Sequence, residues 1–166
     1  MYKIVGSILV LFTCTGIGLE LGREAQKHLE QLEELKKIFI FIKSEIEYSR
    51  MPLGSVFRKV SEKTQSIFQI WLRELAKDLE KHEKGTFQKI WEKSIDIHLR
   101  GSVLKKQELD ELSQIGSSLG YLETLDLYLE QLEFTIQRTR EESKSKKKLY
   151  QSMGVMGGVF LVIVLL

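Results

Sequence analysis

The feature that most constrains this chain is where its charges stop. All 23 acidic residues lie between Glu20 and Glu142, and of 25 bases only Lys3 falls outside Arg23 to Lys148. The ends are bare: Ile4 to Leu19 gives 16 consecutive uncharged residues, and Leu149 to Leu166 gives 18. A bilayer core about 30 Å thick needs roughly 20 helical residues, with about 17 as a lower limit. Each run reaches that span if Lys3, Glu20 or Lys148 extends its charged tip toward the headgroups. The two runs are therefore expected to be transmembrane helices, over 3–20 and 149–166. Between them, residues 21–148 would form a soluble domain.

The flanks set the expected orientation. The 15 residues after the first run hold two bases, Arg23 and Lys27, whereas the 15 before the second hold six: Arg138, Arg140, Lys144, Lys146, Lys147 and Lys148. Bases beside membrane spans stay in the cytoplasm, so the middle domain is expected there. The cluster Lys144, Lys146, Lys147 and Lys148 would also face anionic lipid. No A-x-A-like cleavage site follows the first run, and Phe12 does not suit a lipoprotein box ending at Cys14. Gly154 and Gly158 make a G-x-x-x-G spacing, with Gly157 beside them. Such spacing lets helices approach closely in lipid, either within the chain or between subunits, so a homo-oligomer is one expected outcome.

The middle reads as all helix. Ala25, His28, Leu32, Leu35, Phe39, Ile42 and Ile46 recur at alternating spacings of 3 and 4, a heptad seam on one long helix. That helix should stop at Met51-Pro52, because proline disfavours helix in the residue before it. Shorter helices follow: 52–63 with Leu53, Val56, Phe57 and Val60 inward; 65–82 with Ile67, Ile70, Trp71, Leu75 and Leu79 inward; one after Thr86 with Phe87, Ile90, Trp91, Ile95 and Leu99 inward; and 105–118. Gly85 is the expected C-cap, and Thr86 the expected N-cap of the helix that follows. A last helix starts near Tyr121, and its seam is Leu122, Leu125, Leu129, Leu132 and Ile136. The first and last helices should pair antiparallel. The expected architecture is all-α: an antiparallel bundle of about six helices flanked by the two spans.

The sequence carries few signatures of chemistry. No G-x-x-x-x-G-K-[ST] loop is present, so no nucleotide is expected at a P-loop. His28, His82 and His98 are far apart, and none belongs to H-E-x-x-H or E-x-x-H. A single cysteine provides no disulfide and no multi-cysteine metal site. No catalytic, cofactor-binding or metal-binding residue is singled out. The formal net charge of +2 gives no reason to expect nucleic acid. Trp71 and Trp91 fall on apolar helix faces and are expected in the core. Charge is segregated, however: Gln107–Gln137 holds seven acids and no bases, and Arg50–Lys106 holds 13 bases and seven acids. The candidate partner surfaces are thus Glu123, Asp126 and Glu130 on the last helix, and Arg58 and Lys59 on the second.

One ordered set of features is recognisable. Pro52-Leu53 follows the first long helix. Gly116…Leu119-Gly120 precedes the last, with Gln131 downstream. Lys148-Leu149-Tyr150 then leads into the glycine-rich run GVMGGVFLVIVLL. Together these resemble the stage III sporulation protein AB family of endospore-forming bacteria. The resemblance implies a non-enzymatic membrane platform in the channel between mother cell and forespore. It also implies a soluble domain similar to the cytoplasmic domains of type II secretion F platform proteins. The implied partners are a secretion-type ATPase, other membrane subunits of the channel and the bilayer. The implied location is the mother-cell membrane facing the forespore. The alternative is a membrane-anchored coiled-coil sensor or scaffold that dimerises through the two seams.

Overall fold

A computed structural model describes the backbone of residues 2–49, 51–81 and 86–165, and side chains over 23–49, 51–81 and 86–145 together with Met156. The elements in chain order are α1 (Tyr2–Ser49), α2 (Leu53–Glu62), α3 (Ser66–Glu80), α4 (Phe87–His98), α5 (Lys106–Ile115), a 3-10 turn (Gly116–Ser118) and α6 (Leu122–Leu165). Among the described residues there is no strand, so the all-α expectation holds. No helix among them is long and apolar enough to cross a membrane. The chain divides into two compact units, Met1–Leu29 with Gln137–Leu166, and Glu30–Ile136. In the first unit His28, Leu29 and Thr139 are buried, and Arg138 pairs with Glu142 one turn on at 3.0 Å.

The second unit holds α2 to α5 with the adjoining parts of α1 and α6. Its first helix ends at Ser49, ahead of Met51-Pro52 as expected. Pro52 is the N-cap of α2, and its carbonyl accepts from Ser55 N at 2.9 Å and Val56 N at 3.2 Å. Proline's fixed φ suits this boundary. α5 starts where Glu108 reaches back to accept from Lys105 N at 2.7 Å, which satisfies a backbone donor that the helix start leaves free. α3 starts differently. Ser66 sits in the left-handed region, at φ 62°, a conformation that costs a non-glycine residue about 1 kcal/mol or more. Glu34 of α1 holds it there, accepting from Gln65 N at 2.9 Å and from Ser66 Oγ at 3.0 Å.

Two cores result. The first is the seam between α1 and α6, with Leu32, Leu35, Phe39 and Ile42 on one side and Leu125, Tyr128, Leu132 and Ile136 on the other, all buried. Phe39 and Tyr128 meet edge to face with ring centroids 4.7 Å apart. Lys36 pairs with Glu133, and Lys43 pairs with Asp126 at 2.5 Å. Partner numbers fall along α6 as they rise along α1, so the two helices run antiparallel, as the paired heptads predict. Burial, with a smaller contribution from nearby Glu111 and Glu108, raises the Tyr128 phenol well above its ordinary value.

The second core is an aromatic nest built by α2, α3 and α4. Trp71 and Trp91 cross at 5.1 Å and 62°, Phe57 lies 5.9 Å from Trp91, and Phe57 and Phe87 stack at 6.2 Å. Such pairs contribute about 0.5–1.5 kcal/mol each beyond simple burial. The Trp91 indole donates to Leu112 O at 2.8 Å, tying α4 to α5. Gly116 lies against the same ring: a Cβ there would meet Trp91 Cδ1 at 2.4 Å and Gln88 Oε1 at 2.6 Å. The glycine is therefore the seat of the indole, and the backbone tightens there into a 3-10 turn.

The structure corrects three expectations. The helix expected over 105–118 ends at Ile115, because the approach to Trp91 takes Gly116–Ser118 out of the α-helix. Ile70, expected inward, is 57% exposed, while Phe68 and Leu72 are buried in its place. Thr86 holds the N-cap position of α4 but makes no side-chain cap. Gly85 and His82 lie outside the described residues.

Candidate partner surface

Among the described residues no group of three His, Cys, Asp or Glu side chains is placed to hold a metal ion. An open groove of about 380 Å³ lies between α1 and the α2–α3 connection. Its lining is mostly charged and polar: Glu30, Glu33, Glu34, Lys37, Lys63, Thr64 and Gln65, with Ile38 and Phe41. Lys63 lies over the Phe41 ring at 5.0 Å, a cation–π contact, and Glu34 is committed to the start of α3. What the domain offers is its outer faces.

The candidate residues are distributed over two of them. Arg58 and Lys59 are exposed on α2, where Arg58 pairs with Glu80 and Lys59 with Glu45 at 2.8 Å. Asp126 stands on α6 and binds Lys43, a hydrogen bond that raises the lysine above its ordinary value. Glu123 and Glu130, also on α6, are exposed and make no ion pair among the described residues. Lys144 is exposed. Lys146, Lys147, Lys148, Gly154, Gly157 and Gly158 fall within the α6 backbone, and their surroundings lie outside the described residues, as do those of Cys14.

The helical repeat of about 100° per residue sorts the α6 positions. Leu125, Tyr128, Leu132 and Ile136 share the buried side. Glu123, Leu127, Glu130 and Phe134 lie opposite them. Leu127 and Phe134 are 67% and 69% exposed, large apolar residues on the most outward part of the helix. The sequence reading picked out the two glutamates and missed the two apolar residues between and beyond them. The available signal was that neither belongs to the 122/125/129/132/136 seam.

A comparable strip runs along α3. Phe68, Trp71, Leu72, Leu75 and Ala76 are its buried residues. Ile70, Arg73, Lys77 and Lys81 project away from them, all exposed. Lys77 bonds Glu74 at 2.6 Å, and that bond holds the Glu74 carboxyl below the usual carboxylate range. Arg73 and Lys81 make no ion pair among the described residues.

A helical domain of this kind, with its tryptophans in the core and its charges on outward strips, belongs to the class of all-α helical bundles. The chain belongs to the stage III sporulation protein AB family, whose model matches residues 3–166. It is similar to stage III sporulation protein AB of Bacillus subtilis (strain 168), at 22% identity over 172 residues and covering 100% of both chains. A solved structure of stage III sporulation protein AB superposes with a TM-score of 0.66 at 20% identity, covering 71% of this chain and 97% of that one. The family is thus established, and with it a place in sporulation; the structural likeness establishes the shared helical fold.

Proposed function

We propose that this chain is a non-enzymatic membrane platform of the channel between mother cell and forespore, and that its helical domain docks a secretion-type ATPase from the cytoplasmic side. The observation that carries this reading is the family match over residues 3–166, which takes in both uncharged ends along with the helical domain. α1 and α6 are the two helices that contain those ends. Runs of 16 and 18 uncharged residues with bases at their inner flanks support two spans with the domain between them on the basic side.

The face proposed for the ATPase is the α2 ridge of Arg58 and Lys59. Exposed ion pairs contribute little to stability, about 0–1 kcal/mol. Arg58 can therefore exchange Glu80 for an acidic group of a partner at small cost, whereas Lys59 is held more firmly by Glu45, whose side chain is only 14% exposed.

Topology is the first test. With Cys14→Ser and a single reporter at Thr86→Cys, an impermeant maleimide added to intact cells should label nothing until lysis. Labelling from outside would defeat ATPase docking and leave a scaffold between the two membranes. The second test is co-purification of the full chain with the cognate ATPase. Arg58→Glu with Lys59→Glu should reduce recovery of the ATPase, and unchanged recovery would remove the α2 ridge from the interface.

A further inference from the structure

The outward strips of α6 and α3 match one another. Along α6 the order is Glu123, Leu127, Glu130, Phe134. Along α3, read in reverse, it is Lys81, Lys77, Arg73, Ile70. Each strip covers about 16 Å at 1.5 Å per residue. Set antiparallel, Glu123 faces Lys81, Glu130 faces Arg73, and Phe134 faces Ile70. Leu127 then lies under the aliphatic stem of Lys77, which can cover apolar surface while its ammonium stays in water. The apolar members are among the most exposed on the domain: Ile70 at 57%, Leu127 at 67% and Phe134 at 69%. The four facing charges Glu123, Glu130, Arg73 and Lys81 make no ion pair among the described residues.

We infer that the α6 strip of one copy docks on the α3 strip of a second copy of this chain. Within one copy both strips face outward, so the match can be satisfied only between copies. The occupant is a second copy rather than another basic protein because the complementary charges and apolar anchor are present on this same domain in the matching order. The arrangement fits the general anatomy of interfaces, in which apolar and aromatic anchors are flanked by polar and charged groups. Opposite charge at these positions sets register and suppresses wrong pairings. The contact uses neither Arg58 nor Lys59, so it is independent of the ATPase reading.

The test uses the purified full-length chain alone, with no ATPase, and reads its self-association by sedimentation across concentration and salt. Glu123→Lys with Glu130→Lys should weaken association about tenfold or more, because like charges then face each other. Arg73→Glu with Lys81→Glu should do the same. Mixing the two doubly reversed proteins should restore association, since each strip again meets its opposite. All four positions are exposed, and circular dichroism should show both variants as helical as the parent. Three results would overturn the inference: a parent chain that is monomeric at every soluble concentration, association that both reversals leave unchanged, or a loss that mixing fails to repair. Unchanged association would assign it to the membrane-side glycines Gly154 and Gly158 instead.

Discussion

The α1–α6 seam and the aromatic nest solve the same packing problem with different materials. The seam is mostly aliphatic, repeats every seven residues and joins helices far apart in sequence. Its flanks are marked by Lys36–Glu133 and Lys43–Asp126. The nest is aromatic, has no period, and joins neighbouring helices through ring edges, one indole hydrogen bond and one glycine. A repeat tolerates local change because the next heptad resembles the last. The nest has no second copy of Trp91 or Gly116. It should therefore be the more brittle of the two.

The strongest way to break the comparison is Trp91→Ala. Removing a fully buried indole and its bond to Leu112 O should cost about 4 kcal/mol. Urea unfolding should show a lower midpoint at unchanged slope; a loss below about 1 kcal/mol would mean that the nest is redundant. Gly116→Ala comes next. The added methyl meets Trp91 and Gln88 at distances real contacts do not reach, and overpacking of this kind costs about 1–3 kcal/mol. Thermal melting should place this variant between the parent and Trp91→Ala, and an unshifted melt would show that the indole moves aside freely.

Tyr128→Phe probes the seam through pH. The folded phenol is raised above its ordinary value of 10.0 by burial. Its contribution is fully present below pH 10 and is lost as pH rises from there toward the folded value, because the unfolded chain releases the proton first. The parent should lose stability in that alkaline window, and the phenylalanine variant should lose less. Parallel pH profiles for the two proteins would contradict the assignment. The smallest effect belongs to Lys36 and Glu133. A double-mutant cycle to alanine should return a coupling of about 0.5 kcal/mol, reduced by salt. A coupling several times larger would make the flanking ion pairs, rather than the aliphatic repeat, the source of seam stability.

The same contrast explains what could be read in the sequence. Leu32, Leu35, Phe39 and Ile42 announce their partnership because a heptad is a local pattern with a single buried side. The pairing of α1 with α6 follows from two such patterns in one chain. In α3 the apolar residues 67, 68, 70, 71, 72, 75, 76 and 79 admit two overlapping stripes. Which one turns inward is decided by α2 and α4, so Ile70 was misplaced. Gly116 is visible as a break, but its role as the seat of Trp91 depends on a contact 25 positions away. Glu34 at the start of α3 is likewise invisible, since nothing near Ser66 names the helix that supplies the carboxylate. The two candidate surfaces were legible as charge and only half legible as shape: Glu123 and Glu130 stand out in a run without bases, whereas Leu127 and Phe134 look like ordinary leucine-rich helix until the seam is located.

The antiparallel seam also has a consequence in time. Lys36 and Glu133 are 97 positions apart, and Lys43 and Asp126 are 83 apart. At a synthesis rate of about 5–20 residues per second, the apolar side of α1 waits roughly 5–20 s for α6 to be made. The nest closes over a much shorter stretch of chain and can pack while the ribosome is still working. The first helix to emerge therefore receives its α6 partner last, and every chain passes through an interval in which the side of α1 around Phe39 lacks Tyr128 and faces whatever surrounds the growing polypeptide.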